Sequence, residues 1–213
     1  MNDADAWPAG LPVRADGRRT HEHLLAAARA TFAEQGTDAS LREVARRAGV
    51  GIATLYRHFP TREALLETLL RQGFDTLRAR AAHLIASPDP GQALVTWIRE
   101  LAVASARYDG LPTSVMAALH DPSSALHASC TGLRAAAGDL LACAQRSGHI
   151  RADLDADQLL AAVNAMAWAT RQASWTADTG DRFLSLLIEG LEARPIDPTQ
   201  VALSRRIDAV GDL

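Results

Sequence analysis

The sequence contains no lysine: all 22 of its basic residues are arginine. Together with the abundance of alanine, this indicates a compositional bias, and we assign it no function. Aromatic residues are also scarce, at 5% of the chain against 48% hydrophobic residues, most of them Ala and Leu. This balance favours a mostly helical fold, and 213 residues suffice for one or two domains with a substantial core.

Long apolar runs are missing as well. No run approaches the roughly 20 residues needed to span a bilayer, and the N-terminal stretch MNDADAWPAGLP lacks a basic region followed by a hydrophobic core. We therefore expect a cytoplasmic protein without a membrane partner. Residues 1–13 and 195–213 are expected to be flexible terminal segments.

The residues that would support redox, metal or catalytic chemistry are few. Cys130 and Cys143 lie thirteen positions apart on one predicted helix, roughly 20 Å, which is too far for a disulfide. His21 and His23 point about 200° apart on a helix and cannot chelate one ion. No Ser/His/Asp set, glycine-rich phosphate loop or HExxH pattern occurs. We predict no enzyme activity, no metal site and no cofactor.

Residues 40–59 have the pattern of two short helices joined by a tight turn. Ser40 and Glu43, three positions apart, predict a capping box at a helix start, and Gly49 predicts a left-handed residue that ends this helix. Between them, apolar residues at helical spacing predict one buried stripe, formed by Leu41, Val44, Ala45 and Ala48. The second helix, over 51–59, is stopped by Pro60.

The outer face of this second helix is polar, because Leu55 and Phe59 are expected to point inward. Its remaining positions carry small residues near the helix start and then hydroxyl, guanidinium and imidazole groups: Ile52, Ala53, Thr54, Tyr56, Arg57 and His58. Such a surface suits a nucleic-acid groove and its phosphates. The pattern therefore predicts a helix-turn-helix that binds DNA.

The stretch GVGIATLYRHFPTREALL resembles the signature of the tetracycline-repressor (TetR) family of bacterial transcription factors. An alanine-rich helix predicted over 18–36 and closed by Gly36 also resembles that family, and the resemblance is strong from residue 14 to about 75. It implies double-stranded operator DNA as a partner. This sequence departs from the common family pattern at Gly51, where Ser is frequent, and at Ile52, where a polar residue is frequent.

The resemblance also implies roles for individual residues. Arg42 matches a position able to read a base, where Arg pairs with guanine O6 and N7. The positions that vary with operator sequence are Ile52, Ala53 and Arg57. The positions that typically contact phosphates are Thr54, Tyr56, His58 and Arg62. Charge agrees with this assignment: residues 14–62 hold nine arginines and five carboxylates, a net +4, whereas the whole chain carries −3.

Further helices follow, separated by Pro, Gly and Asp. They are predicted over about 61–84, 91–108, 111–119, 123–147, 155–176 and 179–193, the fifth capped by Asp155 and the last opened by Thr179, Gly180 and Asp181. The predicted fold is all-α: a three-helix helix-turn-helix head, within a DNA-binding domain over 14–75, and a body of about six helices over 76–194. The resemblance implies that this body binds a ligand and dimerises through its last two long helices.

Candidate ligand-binding residues lie on three predicted helices of the body. On the second body helix they are Trp97, Leu101 and Tyr108; on the fourth, His127, Cys130 and Arg134; on the fifth, Asn164 and Trp168, with Trp175 aligned further along. Because aromatic residues are scarce, their grouping suggests an aromatic-walled cavity for a small molecule. Ordinary core or dimer interface is the alternative interpretation for these aromatic residues.

These patterns together favour one hypothesis about function. The chain is expected to be a DNA-binding transcriptional regulator, a homodimeric repressor that a small-molecule effector releases from a palindromic operator. Two alternatives stay open: a TetR-fold ligand-binding or adaptor protein that does not bind DNA, and a helical enzyme. The basic outer face of the second helix, with Arg57 and His58, argues against the first.

Overall fold

A computed structural model describes residues 12–108, 111–172 and 177–192. Within these ranges the chain forms nine α-helices and one isolated β-bridge, and no helix there is long and apolar enough to span a membrane. The helices are α1 (Pro12–Gln35), α2 (Leu41–Arg47), α3 (Ile52–His58), α4 (Arg62–Leu84), α5 (Pro90–Ser105), α6 (Thr113–His120), α7 (Ala125–Arg146), α8 (Ala156–Gln172) and α9 (Ala177–Leu191). The predicted all-α fold is confirmed.

Some helix boundaries differ from the predicted ones. Helix α1 begins at Pro12 rather than near residue 18, and α5 ends at Ser105 rather than near 108. Helix α9 begins at Ala177, so Gly180 lies inside it and does not open it. A Cβ at Gly180 would stand 3.0 Å from Thr170 Cγ2, so this glycine marks a close approach of α8 and α9. Trp175 and most of both predicted flexible termini lie outside the described residues.

Ser40 is the N-cap of helix α2, but the predicted capping box forms only in part. The Ser40 Oγ accepts a hydrogen bond from the Arg42 backbone N–H at 3.3 Å. The Glu43 carboxylate does not return to Ser40, because Arg46 and Arg47 hold it. The reciprocal box does form at α8, where Asp155 and Gln158 each accept the other's backbone N–H.

The head has its own hydrophobic core, built by α1, α2, α3 and the first half of α4. Its most buried large side chains include Leu24, Phe32, Val44, Leu55 and Leu65. The same cluster contains two residues from the body, Val115 of α6 and Leu126 of α7. The head therefore shares its core with α6 and the start of α7, which links the two parts of the chain.

The body core lies between α4, α5, α7 and α8, with α9 packed against α8. At its centre is Trp97, which is fully buried and donates its indole N–H to the Leu77 carbonyl at 2.9 Å. Phe74 of α4 packs against both the body core and the head core. Helix α4 thus runs through both cores and holds them in a fixed relation.

Candidate nucleic-acid interface

The turn between α2 and α3 has the geometry that the sequence predicts. Gly49 takes φ +70°, the left-handed conformation that favours glycine. The Val50 N–H then bonds to the Ala45 carbonyl at 3.0 Å, which closes the end of α2. Gly51 precedes α3 and provides no side-chain cap, as expected where Ser is absent. This turn fixes the two helices relative to each other and exposes the outer face of α3.

The three arginines of α2 have different surroundings. Arg46 binds Glu43 with two hydrogen bonds at 2.8 and 2.7 Å. Arg47 bridges Glu43 and Glu34 at 2.9 and 2.7 Å. The guanidinium groups of Arg46 and then Arg47 lower the pKa of Glu43 to about 2. Arg42 is exposed, and its guanidinium has no partner among the described residues. Arg42 alone among the three is thus an uncompensated positive charge.

Helix α3 presents a mixed polar surface. Tyr56 is 48% exposed, although its neighbour Leu55 is fully buried. The Arg57 Nη2 donates to the Thr54 Oγ1 at 2.8 Å. Ala53 is exposed, whereas Ile52 is partly buried and packs against the head core, so only part of its side chain is available to a groove. Hydroxyl, phenol and guanidinium groups thus dominate the exposed face.

At the end of α3, His58 lies beside two rings. The ring centroids of His58 and His21 are 5.8 Å apart, and His21 stacks on buried Phe59 at 4.8 Å. Burial lowers the pKa of His21, and His58 lowers it further, while Glu22 raises it. The first helix is therefore docked against the C-terminal end of α3, and His58 is half-buried there.

Arg62, predicted at a phosphate-contact position, is engaged within the protein. Its Nη1 donates to the carbonyls of Thr37 at 2.7 Å and Ala39 at 2.6 Å. These carbonyls lie in the connection between α1 and α2, so Arg62 ties that connection to the start of α4. One edge of the guanidinium is occupied by these bonds.

A concavity of about 430 Å³ opens between α2, α3 and the start of α4. It is lined by Ser40, Leu41, Arg42, Tyr56, Thr61 and Arg62. In the sequence, Ser40 and Thr61 have only the pattern of helix N-caps, and both take that role in the structure. Their shared chemistry, a hydroxyl at a helix start where free backbone N–H groups gather, was the available signal. Hydroxyl, phenol and guanidinium donors around a concavity can bind a phosphate.

The candidate ligand-binding residues of the body are not gathered at one site. Trp97 and Leu101 are buried in the body core. Tyr108 instead packs against the head core, where burial raises its pKa and Arg29 opposes that shift. The His127 Nδ1 lies 2.8 Å from the Leu119 carbonyl, also beside the head core. These four residues thus divide between the two cores.

The other four candidates lie nearer the surface. Cys130 is half-buried with a free thiol. Arg134 pairs with Asp157 at 2.6 Å, an exposed salt bridge. The Asn164 Oδ1 accepts from the Ser105 hydroxyl at 2.6 Å, which joins α8 to α5. Trp168 is 61% exposed. In this set, Arg134 and Asn164 each link two body helices through a polar contact, Arg134 joining α7 to α8 and Asn164 joining α8 to α5.

Comparisons with known proteins agree with this architecture. A family model described as "Bacterial regulatory proteins, tetR family" matches residues 24–69, and one described as "Transcriptional regulator SbtR-like, C-terminal domain" matches residues 89–193. The crystal structure of the TetR transcriptional regulator SCO0520 from Streptomyces coelicolor is similar, with 31% identity and a TM-score of 0.63. That similarity covers 82% of this chain and 99% of that chain.

Two further proteins resemble this chain along most of their length. The TetR transcription regulatory protein from Mycobacterium vanbaalenii shares 33% identity with a TM-score of 0.56, over 85% of this chain and 100% of that one. The HTH-type transcriptional repressor KstR2 of Rhodococcus jostii (strain RHA1) is 27% identical over 202 residues. That match covers 86% of this chain and 96% of the repressor.

Proposed function

This chain belongs to the TetR family of DNA-binding transcriptional regulators, and we propose that it is a homodimeric repressor released from a palindromic operator by a small-molecule effector. In this proposal residues 14–75 bind DNA, and residues 76–194 bind the effector and dimerise. It acts in the cytoplasm, where bacterial operator DNA lies. The relative KstR2 is itself described as a repressor, which supports the direction of regulation.

One observation carries the DNA-binding part of the proposal. Unpaired Arg42, exposed Tyr56 and the Thr61 hydroxyl surround one concavity beside α3. An arginine free of carboxylates keeps its full charge for phosphate or guanine. The hydroxyl and phenol add donors that position the protein on the DNA backbone without reading sequence. Helix α3 is accordingly the recognition helix.

The dimer part is supported by exposed apolar side chains on the last two helices. Trp168 on α8 and Leu186 on α9 are 61% and 62% exposed, and Phe183 on α9 is 42% exposed. Large apolar side chains concentrated on neighbouring helices favour association. A twofold dimer would present two copies of α3 about one DNA turn apart, roughly 34 Å. The operator is therefore expected to be palindromic.

The effector part is supported by how the two cores are joined. Val115 of α6 and Leu126 of α7 are buried in the head core, and Phe74 contacts both cores. Any rearrangement of α5 to α7 around a ligand would therefore be transmitted to the head. The effector must have a higher affinity for the conformation that cannot bind DNA than for the conformation that can. The coupling free energy between the two sites is then about 1 to 3 kcal/mol. The predicted effector contacts are divided between the two cores and the surface, so we propose that the effector binds within residues 76–194 and contacts a subset of them: Trp97, Leu101, Tyr108, His127, Cys130, Arg134, Asn164 and Trp168.

Selection of bound duplexes from a random pool, using the full-length protein, tests the proposal. We expect a palindromic sequence to be enriched and its log affinity to fall linearly with log salt concentration. A library of metabolites is then screened for compounds that release this duplex. A protein that binds no duplex in a salt-dependent way would favour the adaptor alternative. Turnover of any screened compound would favour the enzyme.

A further inference from the structure

Thr54 and Arg57 form a hydrogen-bonded pair on the exposed face of α3. They lie three positions apart, which places their side chains together on a helix, and the Arg57 Nη2 donates to the Thr54 Oγ1 at 2.8 Å. Arg57 is exposed and Thr54 is half-buried. The family resemblance assigned these residues separate roles, a phosphate contact for Thr54 and a sequence-dependent contact for Arg57. The observed bond connects the two.

The Thr54 hydroxyl is used differently from other helical threonines in this protein. Several of these donate to the backbone carbonyl four residues earlier at 2.7 to 2.9 Å: Thr31, Thr68, Thr76, Thr96 and Thr170. Thr54 instead accepts a bond from Arg57. Threonine has two common χ1 rotamers in a helix, and the Thr54 side chain adopts one in which its oxygen accepts the bond from Arg57.

A hydroxyl partner leaves the charge of Arg57 intact. Arg46, by contrast, is neutralised by the Glu43 carboxylate through two hydrogen bonds. A guanidinium has five N–H donors in a rigid planar fork, and the bond to Thr54 occupies one of them. The remaining donors suffice for a bidentate contact to guanine O6 and N7, provided that the fork is oriented beforehand.

We propose that Thr54 is a positioning residue that holds Arg57 for base recognition, so that the pair together sets the preference for guanine at one position of each half-site. This inference rests on the proposed role of α3 as the recognition helix. Thr54 still has its own hydroxyl proton, which can be donated to a phosphate. Contact with the backbone would then fix the same side chain that orients the base-reading arginine.

The experiment compares variants of the full-length protein by selection from a randomised duplex pool, followed by affinity measurements on the enriched operator and its single-base variants. For the wild type we expect a guanine preference of about 5- to 150-fold at one position of each half-site. Arg57→Ala abolishes it, and Arg57→Lys weakens it, since lysine can reach guanine O6 and N7 but lacks the planar fork that Thr54 orients. Thr54→Val reduces it several-fold at that same position, and Thr54→Ser restores it.

Two results would overturn the inference. Thr54→Val could weaken binding to every duplex by the same factor while the preference at the Arg57 position stays unchanged, which would make Thr54 a phosphate contact only. Alternatively, Arg57→Ala could reduce the salt dependence of binding without altering any preference. In both cases the wild type still selects an operator, so the proposed function stands. A wild-type protein that enriches no sequence would overturn both. Circular dichroism and thermal unfolding of Thr54→Val and Arg57→Ala check that these variants fold like the wild type.

Discussion

Arg62 donates its Nη1 to the backbone carbonyl of Ala39 at 2.6 Å, across 23 positions of sequence. The same nitrogen also binds the Thr37 carbonyl. The Thr37 and Ala39 carbonyls thus share one charged donor. In Arg62→Gln both carbonyls would lose their hydrogen bond to the guanidinium. We expect this substitution to lower the free energy of unfolding by about 1 to 3 kcal/mol, the usual cost of removing a hydrogen bond to a charged group. Urea unfolding followed by circular dichroism measures it.

Arg71→Gln provides the matched control for this prediction, because Arg71 is exposed on the same helix and has no partner among the described residues. We expect that variant to unfold within about 0.5 kcal/mol of the wild type. If Arg62→Gln were as stable as Arg71→Gln, while DNA binding fell, Arg62 would act through phosphate contact and not through the turn.

Glu43 makes the stability of the head depend on pH. Its pKa is lowered from 4.5 to about 2 by hydrogen bonds from Arg46 and Arg47. A lowered folded-state pKa means that this contribution is present above pH 4.5 and is lost as the pH falls through about 2. Because the Arg46–Glu43 pair lies at the surface, where solvent and salt screen it, the effect should be small. The midpoint temperature of thermal unfolding, measured between pH 2 and 7, should decrease less steeply with falling pH for Glu43→Gln than for the wild type.

The control for the acid titration is Asp139→Asn, which removes an exposed carboxylate outside the head. The unfolding temperature of this variant should decrease at low pH as steeply as that of the wild type. Raising the salt concentration should also reduce the difference between Glu43→Gln and the wild type, since exposed ion pairs are screened. If the unfolding temperature of Glu43→Gln decreased at low pH as steeply as that of the wild type, the ion pairs of Glu43 with Arg46 and Arg47 would contribute nothing to the stability of the head.

The helix-turn-helix could be predicted from sequence because its signals are local. The cap at Ser40 and the left-handed turn at Gly49 each depend on residues a few positions apart. The hydrogen-bond partners of the Glu43 carboxylate could not be predicted, since Ser40, Arg46 and Arg47 all lie within its reach. Which of them it binds depends on how the side chains pack in the folded head. The carbonyls that Arg62 binds are more than 20 positions away, so no local pattern reveals them.

The body shows the same limit more strongly. Helical spacing places Trp97, Leu101 and Tyr108 on one side of their segment. That segment, however, leaves the helix at Ser105, so Trp97 joins the body core while Tyr108 packs against the head. Which core receives a side chain depends on the path of the chain after a helix ends, and periodicity carries no information about that path.

The exposed apolar face of α8 and α9 leads to a prediction about assembly. Leu186, 62% exposed on α9, should be buried at the centre of a dimer interface. Leu186→Glu would place two negative charges opposite each other across the twofold axis, with no positive charge to pair with them. This variant should therefore be a monomer. Sedimentation velocity measures the change. Operator affinity should fall by at least tenfold, because each half-site is then bound separately.

Met116→Glu is the matched control for assembly, because Met116 is an exposed apolar residue, 40% exposed, on α6. That variant should remain a dimer and bind the operator with wild-type affinity. A monomeric wild-type protein, or a Leu186→Glu variant that sediments as a dimer, would show that α9 is not the interface.

Arg42 and Arg46 lie four positions apart on α2, and they differ in their partners. Arg42 is free of carboxylates, whereas Arg46 is 72% exposed yet bound to Glu43. Arg42→Ala should therefore cost about 1 to 3 kcal/mol of operator binding and relax the preference at one base pair, if its guanidinium reads guanine. Arg46→Ala should change operator affinity little at physiological salt. Fluorescence anisotropy with the selected operator, at several salt concentrations, measures both variants.

The salt dependence decides what Arg42 contacts. If Arg42→Ala lowers the slope of log affinity against log salt by about one unit while base preferences stay unchanged, Arg42 binds a phosphate and not a base. If Arg46→Ala has the larger effect on affinity, the Glu43 pair must open when DNA binds.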